Sequence, residues 1–99
     1  MPFSSNFTKV TRAVDNGRDV LFVEGKTEES EQVREMYVNV GSLATTRVDN
    51  AAGAADWVAT LNGGELPAVD TVVTVVGVAA REGVEQPFLW GQTLRVEAA

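Results

Sequence analysis

Short apolar segments alternate with polar and turn-forming residues along the chain, a pattern that predicts strands and not long helices. The segments recur at roughly the 8–12-residue spacing typical of a β-sandwich. The predicted strands are Thr8–Val14, Asp19–Gly25, Val33–Val40, Ala44–Val48, Trp57–Leu61, Thr71–Ala80 and Phe88–Glu97. We therefore predict a single all-β domain over residues 1–99, a seven-stranded antiparallel β-sandwich with tails at 1–6 and 97–99.

Two of the predicted strands divide cleanly into an apolar and a polar face. In the third strand, Met36, Val38 and Val40 share one face, and the residues between them are more polar. Since successive side chains of a strand point to opposite faces, we expect the apolar set to be buried. The last strand divides in the same way, with Phe88, Trp90, Leu94 and Val96 predicted inward and Thr93, Arg95 and Glu97 predicted outward.

The first two strands are separated by Asn16-Gly17, which predicts a tight hairpin. Asn and Gly tolerate the positive φ angles that two-residue hairpin turns require. In the first strand, Val10 and Val14 are expected on one face. The second strand is apolar on both faces, so we expect it to be central. The strand at Thr71–Ala80 is the longest and is also apolar on both faces.

Two segments also fit a helical spacing, and both interpretations stay open from the sequence. Val33–Val40 has apolar residues at i, i+3, i+4 and i+7, although its β-branched end favours a strand. An alanine-rich stripe makes one short helix near residues 50–61 the alternative to a strand there. Gly53 in that stripe costs a helix about 1 kcal/mol against Ala.

The composition favours strands and excludes several kinds of chemistry. The chain has 17 Val and 9 Thr, and β-branched residues suit a pleated surface. It has no Cys and no His, which excludes disulfides, Cys-containing zinc sites and Ser-His or Cys-His catalysis. The net charge of -6 argues against nucleic-acid binding, because that affinity comes largely from Lys and Arg.

A Trp-containing strand, a loop Leu and a long Val/Thr strand follow one another in ADWVATLNGGELPAVDTVVTVVGVAAREG. This run resembles the second half of a bacterial immunoglobulin-like domain. DVLFVEGKTEE, an apolar strand that closes on Gly25 and Thr27, is similar to the family's opening strand, and MYVNV to the next one. The matching positions in the long run are Trp57, Ala59 and Leu61, then Leu66, then Val73, Thr74 and Val75.

The resemblance covers roughly residues 19–96 and departs from the family pattern before the long strand. Val69 or Asp70 stands where the family usually has Gly, and Thr71 or Val72 stands in place of a Tyr. Without that Tyr, no tyrosine corner pins the turn. The resemblance implies an immunoglobulin-like or fibronectin III-like sandwich with a structural or adhesive role and no catalysis.

The carboxylates Glu28, Glu29, Glu31 and Glu35 are the candidate catalytic acids. A glycosidase needs two carboxyl groups that face each other across a cleft and have separated pKa values. A sandwich of 99 residues has little room for such a cleft. We therefore interpret this segment as a solvated acidic loop, and we expect no enzyme activity.

The sequence contains residues that could bind calcium. The oxygen ligands would come from Asp15, Asn16 and Asp19, joined by Asp49, Asn50 or Asp56. Calcium needs about six to eight oxygens, and the spaced D-x-D-x-D-G pattern is absent. Because Asp and Asn are ordinary hairpin residues, we expect no metal and no cofactor here.

Trp57, Phe88 and Trp90 are aromatic residues that could stack on a sugar. Their alternation with Val and Leu favours burial in the core, so carbohydrate binding is the alternative function and not the leading one. Gly63-Gly64 is followed by Glu65 and lacks the Lys of a phosphate loop.

We expect Phe7–Val14 and Phe88–Glu97 to be outer strands. Outer strands carry unpaired backbone groups, to which a protein partner or a second copy can add a strand. Arg12, Arg95 and Glu97 are interpreted as outward charges that protect these edges from open-ended pairing.

The segment MPFSSNFTKV has no signal-peptide core, and no run approaches the roughly 20 apolar residues that span a bilayer. We expect no membrane insertion, and a location that is cytoplasmic as written or within a larger exported or virion protein. The leading hypothesis is a non-enzymatic structural or protein-interaction module, for example a surface-protein fragment or a phage virion subunit.

Overall fold

A computed structural model describes residues 2–41, 43, 45–48, 54–63 and 65–99. A 3-10 turn at Ser30–Gln32 connects the second and third strands, and no α-helix occurs in these ranges. The prediction of an all-β fold with seven strands is confirmed. The strands are β1 (Ser4–Asp15), β2 (Arg18–Glu28), β3 (Val33–Val40), β4 (Thr46–Arg47), β5 (Asp56–Leu61), β6 (Val72–Arg81) and β7 (Phe88–Ala98).

The strands form a mixed sheet in the order β4-β3-β6-β7-β1-β2-β5. Neighbours are antiparallel except β1 and β7, which pair in parallel through Val10–Arg12 and Val96–Ala98. The prediction of a purely antiparallel arrangement was wrong at this pair. Parallel strands need a long connection, and the first and last strands have the rest of the chain between them. β4 and β5 end the strand order and lie close together, so the fold is nearly barrel-shaped.

The hairpin between β1 and β2 forms as its sequence predicts. Asn16 and Gly17 have φ angles of 52° and 77°, and Asp15 pairs with Arg18 across the turn. Positive φ at both central residues is the turn geometry that Asn-Gly favours. The predicted hairpin is confirmed.

A bulge between Phe7 and Lys9 interrupts the alternation of β1. The extra residue lets Phe7 and Val10, three positions apart, both lie in the core. Val14, which was expected on the same face as Val10, is 68% exposed. It lies beside the hairpin turn, beyond Arg12, the last residue of β1 that pairs with β7.

The core is built mainly from Val on the inner faces of the strands. The inner face predicted for β3 is confirmed, since Met36, Val38 and Val40 are buried, and the helical alternative for Val33–Val40 was wrong. The inward and outward sets predicted for β7 are also confirmed. The largest fully buried side chains are Leu21, Met36, Val10, Val23, Val38, Val40, Val75 and Val96.

The helix considered near residues 50–61 was wrong over its second half. Residues 56–61 form β5, in which Trp57, Ala59 and Leu61 alternate with exposed residues and point into the core. Burial of every second residue of this segment against the core favours a strand over the helix that the apolar spacing also allows. Residues 50–53 lie outside the described ranges.

Strand structure extends further towards both ends than predicted. Ser4–Asn6, expected in a tail, open β1, and Glu97 and Ala98 close β7. Within the strand predicted at Ala44–Val48, Thr46–Arg47 forms β4, and residue 44 lies outside the described ranges. No helix in the described part of the chain is long and apolar enough to cross a membrane.

Candidate functional site

Trp57 is a core residue, only 4% exposed. Its Nε1 donates a hydrogen bond of 2.9 Å to Oγ1 of Thr27, which lies 2.9 Å from Oγ of Ser5. The indole lies over Gly25, its partner on β2, where a Cβ would overlap the ring. The interpretation of Trp57 as a core residue is confirmed, and its ring is closed to a sugar.

The other aromatic candidates, Trp90 and Phe88, are half-buried at the margin of the core. Phe7 stacks on Trp90 with ring centroids 5.2 Å apart, and Phe3 meets Phe88 edge-on at 5.0 Å. The Arg81 guanidinium lies 4.9 Å over the Phe3 ring. Because these rings pack on one another, they do not form a flat open platform.

The acidic segment brings two of its four carboxylates together. Glu31 raises the pKa of Glu29, first through a side-chain hydrogen bond and then through charge repulsion. The pKa of Glu31 is lowered by a hydrogen bond from its own backbone amide and by the bond to Glu29. Glu28 is exposed, and Glu35 lies apart on β3, where it contacts Tyr37. The pair lies on an open turn and not in a cleft.

The oxygen ligands proposed for calcium do not converge. Asp19 lies 3.6 Å from Nη2 of Arg12, and Asp56 lies 3.9 Å from Nζ of Lys26. Asp15 and Asn16 form the hairpin turn. No group of three or more acidic side chains within the described ranges is arranged to hold a metal, and residues 49 and 50 lie outside those ranges.

The strands predicted as outer ones lie inside the strand order, so this prediction was wrong. β1 sits between β7 and β2, and the ends of the order are β4 and β5. Arg12 is half-buried and donates to the Pro67 carbonyl at 3.4 Å, so it is not an edge guard. Arg95 and Glu97 are exposed as predicted. The pairing of β1 with β7 joins distant parts of the chain and leaves no mark in the spacing of apolar residues, so the sequence pattern does not predict it.

An open groove of about 430 Å³ lies at one end of the fold. Its apolar lining includes Val40, Leu43, Leu66 and Val73. Among the described residues that line it, only Glu65 carries a charge. Glu65 and Thr71 supply the polar side chains among the described residues of this lining.

The outer surface of β3, β6 and β7 carries exposed apolar side chains beside the polar residues Asn39, Thr74 and Thr93. Val72, Val76 and Leu89 are 58%, 41% and 64% exposed. Three neighbours on the same surface are half-buried. We call this surface the outer apolar face; it consists of Tyr37, Val72, Val76, Val78, Ala80 and Leu89.

The register arranges these side chains in rows across the strands. Val78 pairs with Tyr37 on β3 and with Leu89 on β7, and Val76 pairs with Gly91 on β7. Paired residues point to the same side of a sheet. Tyr37, Val76, Val78, Ala80 and Leu89 therefore form one contiguous apolar cluster, and Thr74, paired with Thr93, separates Val72 from it.

Charged side chains mark the margin of the outer apolar face. At one end Glu35 accepts a hydrogen bond of 3.2 Å from the Tyr37 hydroxyl. At the other end Arg95 donates from Nη1 to the Asp70 carbonyl at 3.1 Å. Arg47 on β4 pairs with Tyr37 at the side. An apolar centre inside a charged rim is the arrangement found at protein–protein interfaces.

The sequence carries a signal for this face. Residues 71–80 are apolar at both odd and even positions, which indicates two covered faces in a strand. A small domain with one core covers only the inner face of its sheet. The even positions Val72, Val76 and Val78 therefore lie on the side of the sheet that the core does not cover.

Comparison with known proteins adds no relative. No protein-family model, curated protein or solved structure matches the chain. The likeness to bacterial immunoglobulin-like domains stays a prediction, and the outer apolar face is the feature of the described residues from which a function can be argued.

Proposed function

We propose that the chain is an immunoglobulin-like sandwich. The strand pairing supports this, since β5-β2-β1 and β4-β3-β6-β7 are two groups joined by the short parallel contact of β1 with β7. In immunoglobulin-like folds the first, second and fifth strands share one sheet, and the third, sixth and seventh share the other. The order of these strands here follows that division.

We further propose that this sandwich is a non-enzymatic module that binds another protein through the outer apolar face. The observation that carries the proposal is the contiguous cluster of Val76, Val78 and Leu89, in which Val76 and Leu89 are 41% and 64% exposed. Scattered apolar residues on a surface need no explanation, but a contiguous patch with a polar rim indicates an interaction site. If the chain is a structural subunit of a larger assembly, we propose that the same surface contacts the neighbouring subunit.

The positions of the other candidate residues support a role without catalysis. The interacting carboxylates Glu29 and Glu31 lie on an open turn, where no wall excludes water. The alternative of carbohydrate binding draws no support from Trp57, which is buried, or from Trp90, which is covered by Phe7.

Site-specific photo-crosslinking tests the proposal. A p-benzoylphenylalanine at Leu89 reports on the outer apolar face, and the same group at Val58 reports on the opposite sheet. Val58 is a matched control because it is 48% exposed and lies on a strand. In cells that express the chain, we expect protein adducts from position 89 and not from position 58. Absence of adducts at both positions, or equal adducts, contradicts the proposal.

A further inference from the structure

We propose that an extended segment of a partner protein adds as a strand to the open side of β7 between Phe88 and Thr93, next to the outer apolar face. The inference rests on the proposed function, because it names how the partner of that surface binds. Three features of β7 support it: the limits of its pairing, the direction of its backbone groups and the residues along its edge.

One side of β7 is open along most of the strand. On its other side, β6 pairs with β7 from Phe88 to Arg95 without a break. β1 pairs with β7 only through Val96–Ala98. β7 therefore lies inside the strand order, yet no strand of the described ranges pairs with its open side between Phe88 and Thr93. This open stretch is roughly 20 Å long.

Alternate residues of the open stretch direct their backbone groups away from β6. The Val96 N–H donates to the Thr71 carbonyl, so Val96 faces β6. In an antiparallel pair, successive residues face opposite sides, and the register here contains no shift. The even-numbered residues of β7 therefore face β6, and the odd-numbered residues face the open side. Those in the open stretch are Leu89, Gly91 and Thr93.

Each of these three residues presents one N–H and one carbonyl oxygen to the open side. Residues two positions apart in a strand are separated by about 6.8 Å. A row of donors and acceptors at this spacing matches the backbone of another extended chain, which is the basis of recognition by strand addition. The backbone chemistry of the edge therefore points to a peptide segment as the occupant.

The opening beside β7 accepts an amide group in the structure itself. The Gln92 carboxamide accepts from the Phe7 N–H at 2.6 Å and donates to the Phe7 carbonyl at 3.0 Å. A peptide group of a neighbouring strand makes the same two kinds of bond. The Gln92 side chain thus fills the place of a peptide group beside β1, while the open stretch of β7 has no such substitute among the described hydrogen bonds.

The open stretch lacks the features that protect exposed strand edges. Natural edges carry charged residues, prolines or bulges that prevent another strand from pairing. The sequence of residues 88–93, FLWGQT, contains neither a charge nor a proline, and its register with β6 contains no bulge. The open side of β5 differs, because that strand begins at Asp56, which lies 3.9 Å from Nζ of Lys26.

The side chains along the edge indicate which residues the partner segment carries. Paired residues point to the same side of a sheet, so partner residues opposite Leu89 and Gly91 lie on the outer face. Leu89 is 64% exposed, and an apolar partner side chain beside it extends the cluster of the outer apolar face. An aromatic side chain suits the position opposite Gly91, since aromatic residues cover glycines on neighbouring strands. The intervening partner residues face the half-buried Phe88 and Trp90.

A proline on the edge tests strand addition. Gly91→Pro removes an N–H that faces the open side and places a ring where the added strand would lie. Edge strands tolerate proline at such positions, and a Cβ at Gly91 makes only ordinary contacts. Val58→Pro is the matched control on β5. The Thr27 N–H donates to the Ala55 carbonyl, so by the same alternation residue 58 faces the open side of β5.

The readout is photo-crosslinking from p-benzoylphenylalanine at Leu89, with thermal melting as the folding check. We expect Gly91→Pro to reduce the partner adducts by about tenfold or more, because the added strand loses both a bond and its space. Val58→Pro should leave the adducts in place. Adducts that persist in Gly91→Pro, or that fall equally in both variants, overturn strand addition.

Hydrogen exchange in the wild-type chain tests the same pairing without a substitution. The probe is a synthetic peptide with the sequence of the crosslinked partner segment. We expect the amides of Leu89, Gly91 and Thr93 to exchange quickly in the free chain and about tenfold or more slowly with saturating peptide. The amides of Trp90 and Gln92 should be slow in both states, because they face β6. A peptide that binds without slowing the first three amides overturns the proposal.

The outcomes separate this inference from the proposed function. Wild-type Leu89 adducts that persist in Gly91→Pro overturn strand addition and keep the interaction surface. The absence of Leu89 adducts in the wild-type chain overturns both. Adducts of twice the chain mass identify a second copy and overturn the assignment to a segment of another protein. Adducts lost in Gly91→Pro, together with slowed exchange at the three amides, support both.

Discussion

The side chain of Gln92 makes both hydrogen bonds that a neighbouring strand would make with Phe7. Its Oε1 accepts from the Phe7 N–H at 2.6 Å, and its Nε2 donates to the Phe7 carbonyl at 3.0 Å. β1 and β7 separate here, since their ladder is confined to Val10–Arg12 and Val96–Ala98. Gln92 thus bridges the opening between the two groups of strands.

Gln92→Met should therefore destabilise the fold. The substitution keeps the length of the side chain but leaves the Phe7 N–H and carbonyl without partners, which costs about 1–3 kcal/mol. Urea denaturation at low protein concentration measures the loss. The control is Gln86→Met at an exposed position, where a change within about 0.5 kcal/mol is expected. An equal loss of stability in the two variants would contradict the bridging role of Gln92.

Gly25→Ala and Gly77→Ala should both destabilise the fold, and Gly25→Ala more strongly. A Cβ at either position overlaps an indole, that of Trp57 or that of Trp90. Overpacking of this kind typically costs about 1–3 kcal/mol. Trp57 is buried and its Nε1 is hydrogen-bonded to Thr27, whereas Trp90 is half-buried and its Nε1 has no hydrogen-bond partner among the described residues.

The control for these glycines is Gly91→Ala in β7. Its nearest neighbour to an added Cβ is the Val75 carbonyl oxygen at 3.5 Å, an ordinary contact. Alanine there should be neutral or should stabilise the fold by up to about 1 kcal/mol, because it lowers the conformational entropy of the unfolded chain. Thermal melting of the three variants should rank Gly91→Ala first and Gly25→Ala last, and any other order contradicts the packing described for the two Trp residues.

Thr27→Val should weaken the buried polar contact beneath β5. The change keeps the shape of the side chain but removes the oxygen that accepts from Trp57 Nε1 and contacts Ser5. An unpaired indole N–H in the core costs about 1–3 kcal/mol. Thr60→Val, on the exposed side of the same strand as Trp57, is the control. Denaturation followed by Trp fluorescence should show a loss in the first variant and little change in the second.

The acidic turn should respond to removal of Glu31. Because Glu31 is the main cause of the raised pKa of Glu29, Glu31→Gln should lower that pKa towards the ordinary 4.5. Glu28→Gln should lower the pKa less, since Glu28 contributes least. Carboxyl NMR titration measures both shifts. A pKa of Glu29 that is unchanged in Glu31→Gln contradicts the interaction.

The two shifted pKa values act on stability with opposite signs. The raised pKa of Glu29 favours the folded state at low pH, and this contribution is lost as pH rises through that pKa. The lowered pKa of Glu31 favours the folded state above its unfolded pKa, and this contribution is lost as pH falls through the folded value. Since the two oppose each other, we expect the acid unfolding midpoint to change little in Glu31→Gln.

Local signals allowed most strands to be predicted. The strand Val33–Val40 has the predicted bounds because Met36, Val38 and Val40 alternate with less buried residues, and Asn16-Gly17 fixes the first turn through backbone geometry alone. The parallel pairing of Val10–Arg12 could not be predicted, since it joins residues that are far apart in the chain. The bulge at Phe7 likewise leaves no mark in the residue pattern.

The candidate site could be predicted only in part. Val72 and Val76 were recognised as apolar, but Val in a strand has the same pattern whether the face is covered by its own core or by another chain. Which face the core covers depends on the strand order, and the strand order is non-local. The charges at Glu35 and Arg95 acquire meaning only once their register on β6 is known.

One measurement decides whether the outer apolar face binds protein: photo-crosslinking from Leu89 in chains that also carry Val76→Asp or Val58→Asp. A charge at the centre of the face should abolish the Leu89 adducts, because burying an unpaired carboxylate is unfavourable. The same charge at Val58, on the opposite sheet, should leave them in place. Adducts that persist in Val76→Asp, or that disappear equally in both variants, would contradict an interaction through this face.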